Sequence, residues 1–345
     1  MAAVEHRHAD YPQPGTHRVH HKLPKAASRV LGLLLLHPGP DASVDAVAAL
    51  ANLPVSDSRG VLAHLANASL VEAVPGAAER WRISRPALPY AQSLSEDRAA
   101  VSEREAARDR LLDYYVITTE AADGWLRGRP PVPGSQAFAS RDAALTWLND
   151  ELASLLAAAQ MAADTGRDEV AKSLPLLMAQ YLGFRARFGE LLAATTVSLT
   201  AARRLCDRTA EAAARANRGL ALFGLRRYDE AAVAHLDAAA IFRDTGNRHG
   251  EGKALNNLGL ALFGLDRHDE AAGVHLDAAA IFQETGDRHG EGNALGNLGN
   301  ALRELRRSEE AAAAYQEAAE IFRATGDRRS EFMALQSLDL AREAL

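Results

Sequence analysis

Three asparagines, Asn217, Asn257 and Asn297, recur at intervals of 40 residues. A primary amide offers both a donor and an acceptor, so a row of them can pair with an extended backbone that has lost its own partners. Lys253, Asn256, Asn293, Asn300 and Arg303 stand nearby in the sequence and can add recognition of side chains. The competing structural reading has each asparagine bonding a loop or backbone of the adjacent unit. Two pairs of histidines repeat with the same interval, His235 with His275 and His249 with His289. Such side chains can bind metal or move protons, but their repetition is also what duplication of one packed unit produces. The chain holds no cluster with metal-ligand spacing, no nucleophile–base pairing and no Gly-rich phosphate loop with its Lys. No catalytic residue, metal or cofactor is expected. The single cysteine, Cys206, excludes an internal disulfide framework and reads as a small buried apolar side chain.

The interval reaches far beyond the asparagines. Gly219-Leu220-Ala221-Leu222-Phe223-Gly224-Leu225 returns as Gly259-Leu260-Ala261-Leu262-Phe263-Gly264-Leu265, and in altered form from Gly299 to Leu305. Ile241-Phe242 and Thr245-Gly246 likewise return twice, 40 residues apart. A fixed period of this size means stacked supersecondary units that bury one another's apolar faces. Each unit reads as two helices. The first carries glycine (Gly259) where its partner crosses closely, and the second carries spaced alanines such as Ala271 and Ala278. The resulting array runs from 168 to 345: a degenerate unit at 168–208, three good units at 209–248, 249–288 and 289–328, and a capping helix at 329–345 whose outer face is expected to be polar.

Ahead of the array, residues 1–21 are polar and rich in histidine and proline, and read as a disordered tail. Residues 22–95 read as a small winged-helix-like domain. Pro24 starts one helix, Ser43 caps a second, and Ser56 or Asp57 caps a third carrying Val61, Leu62 and Leu65. Leu70 to Val74 and Trp81 to Ile83, about the Pro75-Gly76 turn, form a two-stranded wing. Residues 96–167 are a helical connector, with a long helix from Asp97 to Leu126, a proline-rich loop at 128–134 and a capping serine at Ser140. The fold class is therefore mainly α, ending in an α-solenoid.

Composition narrows the function. Of 345 residues 48% are hydrophobic and 24% charged, an ordinary globular balance. The longest apolar run, Leu31 to Leu36, is far too short to cross a bilayer, and no secretory signal opens the chain, so a reducing cytoplasm is the expected compartment. The array is acidic and the first 95 residues carry only 9 basic against 7 acidic side chains. Nucleic acid is thus not an expected partner.

The repeated units resemble the tetratricopeptide repeat in its 40-residue form. Ala294 to Ala301 looks like the repeats of Pins-type polarity adaptors, and Ala254-Leu255-Asn256-Asn257-Leu258 looks like those of kinesin light chain. His235 and His275 depart from the aromatic usual at their position, which Tyr315 restores. In related arrays, asparagines at the positions of Asn217, Asn257 and Asn297 line the concave face and bind an extended peptide. The lysine and arginine set that clamps a C-terminal carboxylate is incomplete. A second resemblance covers residues 21–345. His21 to Arg29, Leu36 to Asp41 and Phe138 to Leu148 look like the winged-helix and pre-repeat segments of actinobacterial STAND-type (NB-ARC) regulatory ATPases. That family's P-loop is missing here, and Ser84-Arg85 stands where its nucleotide-sensing His-Asp pair would be.

Three functions follow as expectations. The first is a non-catalytic regulatory or adaptor protein that holds a peptide or protein segment in its concave groove. The alternative is a winged-helix DNA-binding regulator, and the third a small-molecule binder or atypical enzyme with its pocket inside the superhelix. Partner identity and oligomeric state are not specified by the sequence.

Overall fold

The structure, a computed structural model, describes residues 23–76, 78–95, 101–129 and 138–344; the tail at 1–21 and most of the proline-rich loop lie outside them. Two compact units divide the chain. Residues 1–117 with 151–158 make the first, and residues 118–150 with 159–345 make the second.

In the first unit, α1 (Lys25–Leu34), α2 (Val44–Ala51) and α3 (Val55–Asn67) precede a small antiparallel sheet. Ser43 caps α2 as expected, its Oγ accepting from Ala46 N at 3.3 Å. The third helix differs from expectation. It opens after Pro54, and neither Ser56 nor Asp57 caps it, because both already lie inside the first turn. The hairpin β2 (Val71–Ala73) and β3 (Arg80–Ile83) gains a third strand, β1 (Ala42–Ser43), in the order β1-β3-β2. Leu31, Leu50, Leu62 and Leu65 form a closed core, completed by α4 (Leu88–Ser95) packed on α1. The long helix α5 (Val101–Leu126) ends at Leu126 as expected, while the expected start at Asp97 lies outside the described residues.

One polar cluster runs through this unit. Arg80 binds the carboxylates of Asp41 and Glu151, the latter at 2.8 Å, and Glu151 also accepts from Tyr115 Oη at 3.4 Å. His37 Nε2 lies 2.8 Å from that same hydroxyl. Burial opposes the charge on Arg80, but hydrogen bonds and attraction from Glu151 and Asp41 outweigh it and hold the pKa above the ordinary arginine range. Every ionic member has a partner, which is the condition for such a cluster to be tolerated inside a core.

The second unit is an array of helices. α6 (Arg141–Asp164), capped by Ser140, leads into α7 (Asp168–Phe184) and α8 (Phe188–Arg204). Three pairs follow: α9 (Arg208–Gly224) with α10 (Tyr228–Asp244), α11 (Arg248–Gly264) with α12 (His268–Thr285), and α13 (Arg288–Glu304) with α14 (Ser308–Thr325). α15 (Arg328–Glu343) closes the sequence. α9, α11, α13 and α15 each have a side-chain cap at the same register: Asp207, Asn247, Asp287 and Asp327 accept from the amide three residues on, at 2.9–3.0 Å.

The close crossing inferred from Leu-Gly is present. A Cβ on Gly219 or Gly259 would meet the ring of His235 or His275 at 2.5 Å, and one on Gly299 would meet Tyr315 at 2.6 Å. The histidines are thus core side chains, each 1% exposed.

Two further expectations fail. Cys206 is exposed, not buried. It occupies the left-handed position (φ 55°) that Gly166, Gly246, Gly286 and Gly326 fill in the equivalent turns between units. The outer face of α15 is not polar either, because Phe332, Met333 and Leu340 are 59%, 57% and 56% exposed.

Candidate functional site

The asparagines sit on the first helix of each pair. Successive first helices pack directly on one another, α7 on α9, α9 on α11 and α11 on α13, a closeness that the second helices do not match. The side on which the helices crowd is the inside of the curve. Asn217, Asn257 and Asn297 are all half-buried there.

Two clefts open along α11, α13 and α15. One, of about 370 Å³, is lined by Lys253, Asn256, Asn257, Asn293, Phe282 and His289 among others. The next, of about 300 Å³, is lined by Asn293, Asn297, Asn300, Tyr315, Arg329 and Met333 among others. They share Asn293, so six of the eight residues singled out in the sequence line one continuous run. Asn217 and Arg303 line neither cleft; Arg303 is half-buried and pairs with Glu304 at 3.3 Å.

The amides divide by what they already bond. Asn256 Oδ1 accepts from Asn297 Nδ2 at 3.1 Å and from His275 Nδ1 at 3.0 Å, tying α11 to α13 and to the buried imidazole. Asn300 Oδ1 accepts from Tyr315 Oη at 2.8 Å. These two carbonyls serve the fold. Asn257 and Asn293 make no hydrogen bond within the chain among the described residues, and each leaves a complete amide facing its cleft. Phe282 and Tyr315, 2% and 1% exposed, close the floors of these clefts, and Met333 brings exposed apolar surface beside the second. The arrangement offers paired donors and acceptors beside apolar depressions, which suits a strand with alternating side chains.

Burial lowers the pKa of His235 and of His275 to about 4, so both rings are neutral at pH 7. For His275 the Nε2 atom is buried without a partner, and a second proton there would find no acceptor. Neither ring is poised for proton transfer. Among the described residues, no group of three or more His, Cys, Asp and Glu could hold a metal, and no helix is long and apolar enough to cross a membrane.

Two further features escaped the sequence reading. Glu211, Glu251 and Glu291 are buried carboxylates at the same 40-residue interval. Arg243 and Arg248 hold Glu251 at 2.7 and 2.5 Å, and Arg203, Arg208 and Arg215 hold Glu211. Each clamp fastens a second helix to the next first helix, and the shared interval of Arg and Glu could have revealed it. The other feature is a cleft of about 410 Å³ between α8, α9 and α10, floored by Arg215 and Arg218. Later units have buried leucines there, Leu255 with Leu258 and Leu295 with Leu298.

Residues 250–324 match the family model of the tetratricopeptide repeat. The stretch from α11 to α14 is built of tetratricopeptide repeats. Regulatory protein AfsR of Streptomyces coelicolor is 37% identical over 186 residues, covering 48% of this chain and 18% of that protein. Its counterpart in Streptomyces griseus is 36% identical over 171 residues, covering 46% and 17%. The chain thus spans less than a fifth of the length of these relatives. A solved structure of a STAND signal transduction ATPase with a tetratricopeptide repeat sensor, from Pyrococcus horikoshii, aligns at 13% identity and a TM-score of 0.43, over 96% of this chain and 56% of that one. The repeats support a protein-interaction role.

Proposed function

We propose that this chain is a non-catalytic regulatory or adaptor module of the cytoplasm that captures an extended peptide segment along the first helices of its repeats. The observation that carries this reading is the pair of adjoining clefts in which Asn257 and Asn293 present unspent amides. An extended peptide supplies the complementary donors and acceptors at every residue, and its alternate side chains enter the depressions by Phe282 and Tyr315.

The three-helix unit at the front fits a winged-helix-like packing domain. DNA binding by it is disfavoured. Arg59, the only arginine on α3, is committed to Glu79 through two hydrogen bonds of 2.7 and 2.9 Å, leaving little positive charge for phosphate.

The test is selection of a peptide library on the full chain, followed by hydrogen exchange with and without a selected peptide. The reading expects new protection on α11 and α13. Protection confined to the second helices α10, α12 and α14 would contradict it.

A further inference from the structure

We infer that α15 is a self-association surface, and that two copies of this chain pair through it as antiparallel helices about a two-fold axis at Gln336. The argument starts from what α15 corresponds to in the period. Phe332 stands 40 residues after Gly292, whose Cβ position lies 2.9 Å from Phe322 of α14, and Leu340 stands 40 after Asn300, which bonds Tyr315 of α14. In the preceding unit the edges of this face thus touch an antiparallel helix, while its centre at Gly296 stays open. On α15 it carries Phe332 and Leu340, both more than half exposed, and no described helix lies over it.

The face is self-complementary. At ~100° per residue, Arg329, Phe332, Leu340 and Glu343 all fall within about 40° of Gln336 around the helix, opposite the buried Ala334, Leu338 and Ala341. Phe332 and Leu340 are equidistant from Gln336 along the axis, at about 6 Å either way, and Arg329 and Glu343 at about 10 Å. An antiparallel copy centred on Gln336 thus sets Phe332 on Leu340 of the second copy, and Arg329 on its Glu343, each contact made twice. Arg329 and Glu343 have no ion pair within the chain among the described residues, so both charges are available. Antiparallel helix dipoles add in the same sense. Met333 and Asp339 stand at the rim, where water reaches them. An unshared carboxylate or a single-signed face would fit a different partner; mirrored opposite charges around an apolar pair fit a second copy.

One helix face buries less than the roughly 800 Å² per partner of a standard interface, so the dimer should form with rising concentration. Sedimentation of the full chain across micromolar concentrations should show its mass climbing from one chain towards two. Leu340→Asp should hold it at one chain with an unchanged circular dichroism spectrum, since more than half of the residue is exposed. Arg329→Glu and Glu343→Arg, each alone, should weaken association roughly tenfold by facing like charges, and the double variant should restore it. A monomer at all concentrations overturns the inference, as does a dimer indifferent to Leu340→Asp or to the charge exchange.

Discussion

The imidazole of His275 fills the space that a side chain on Gly259 would need, since a Cβ there would stand 2.5 Å from the ring. His235 stands on Gly219 in the same way, and Tyr315 on Gly299. Intrinsic propensity favours alanine over glycine inside a helix by about 1 kcal/mol. Packing reverses that sign here. Gly259→Ala should destabilise the chain by roughly 1–3 kcal/mol, read as a lower urea midpoint, because a buried ring between two helices cannot retreat without dragging its helix. Gly273→Ala, where no heavy atom lies within 4 Å of the added methyl, is the control and should not destabilise.

The same burial makes stability depend on pH. His235 and His275 titrate near 4 when folded and near 6.5 when unfolded. Between those values the unfolded chain binds more protons, so stability is full above pH 6.5 and is lost as the pH falls towards 4. Up to about 3 kcal/mol per histidine is at stake. Replacing both by tyrosine, the residue that the third unit uses, should flatten the loss of denaturation midpoint between pH 7 and 5 relative to the parent.

Cys206 occupies a left-handed turn where four equivalent turns carry glycine. A non-glycine residue in that region costs on the order of 1 kcal/mol, and this one is exposed, so no packing opposes its removal. Cys206→Gly should raise the denaturation midpoint by a corresponding amount and leave the helical content unchanged.

Glu251 is held by two arginines, whereas Glu291 has Arg288 at 2.5 Å and Gln283 at the position equivalent to Arg243. Glu251→Ala should cost on the order of 1 kcal/mol, read as a lower urea midpoint, because both arginines are partly exposed and Arg248 keeps its pair with Glu284. Gln283→Arg should instead stabilise by roughly 0.5 kcal/mol or more by completing the third clamp, a gain screened by salt because the arginine is exposed at this position.

Most of the array was legible because one physical rule repeats. Each unit needs its neighbours to bury its faces, so Ile241-Phe242, Thr245-Gly246 and the Gly-Leu blocks fall at one interval and mark helix ends closely. The degenerate unit was legible for the same reason, although Thr165-Gly166, 80 residues before Thr245-Gly246, shows that the register starts earlier still. What stayed hidden depends on three-dimensional placement. β1 is two residues long and carries no alternation to detect. The partners of Asn256 come from positions 19 and 41 residues away, and sequence spacing gives no sign that its carbonyl serves the fold while Asn257 beside it stays free. The apolar outer face of α15 was missed because Phe332 and Leu340 look like the core residues of any amphipathic helix.

Calorimetry of a groove-selected peptide with the parent and with the Asn257→Ala/Asn293→Ala double variant tests the central claim most directly. Neither side chain bonds within the chain among the described residues, so their removal should leave the folding midpoint in place. Loss of two amide contacts at about 1 kcal/mol each should weaken binding by roughly tenfold or more. Unchanged affinity in the double variant would contradict capture of a peptide along these helices.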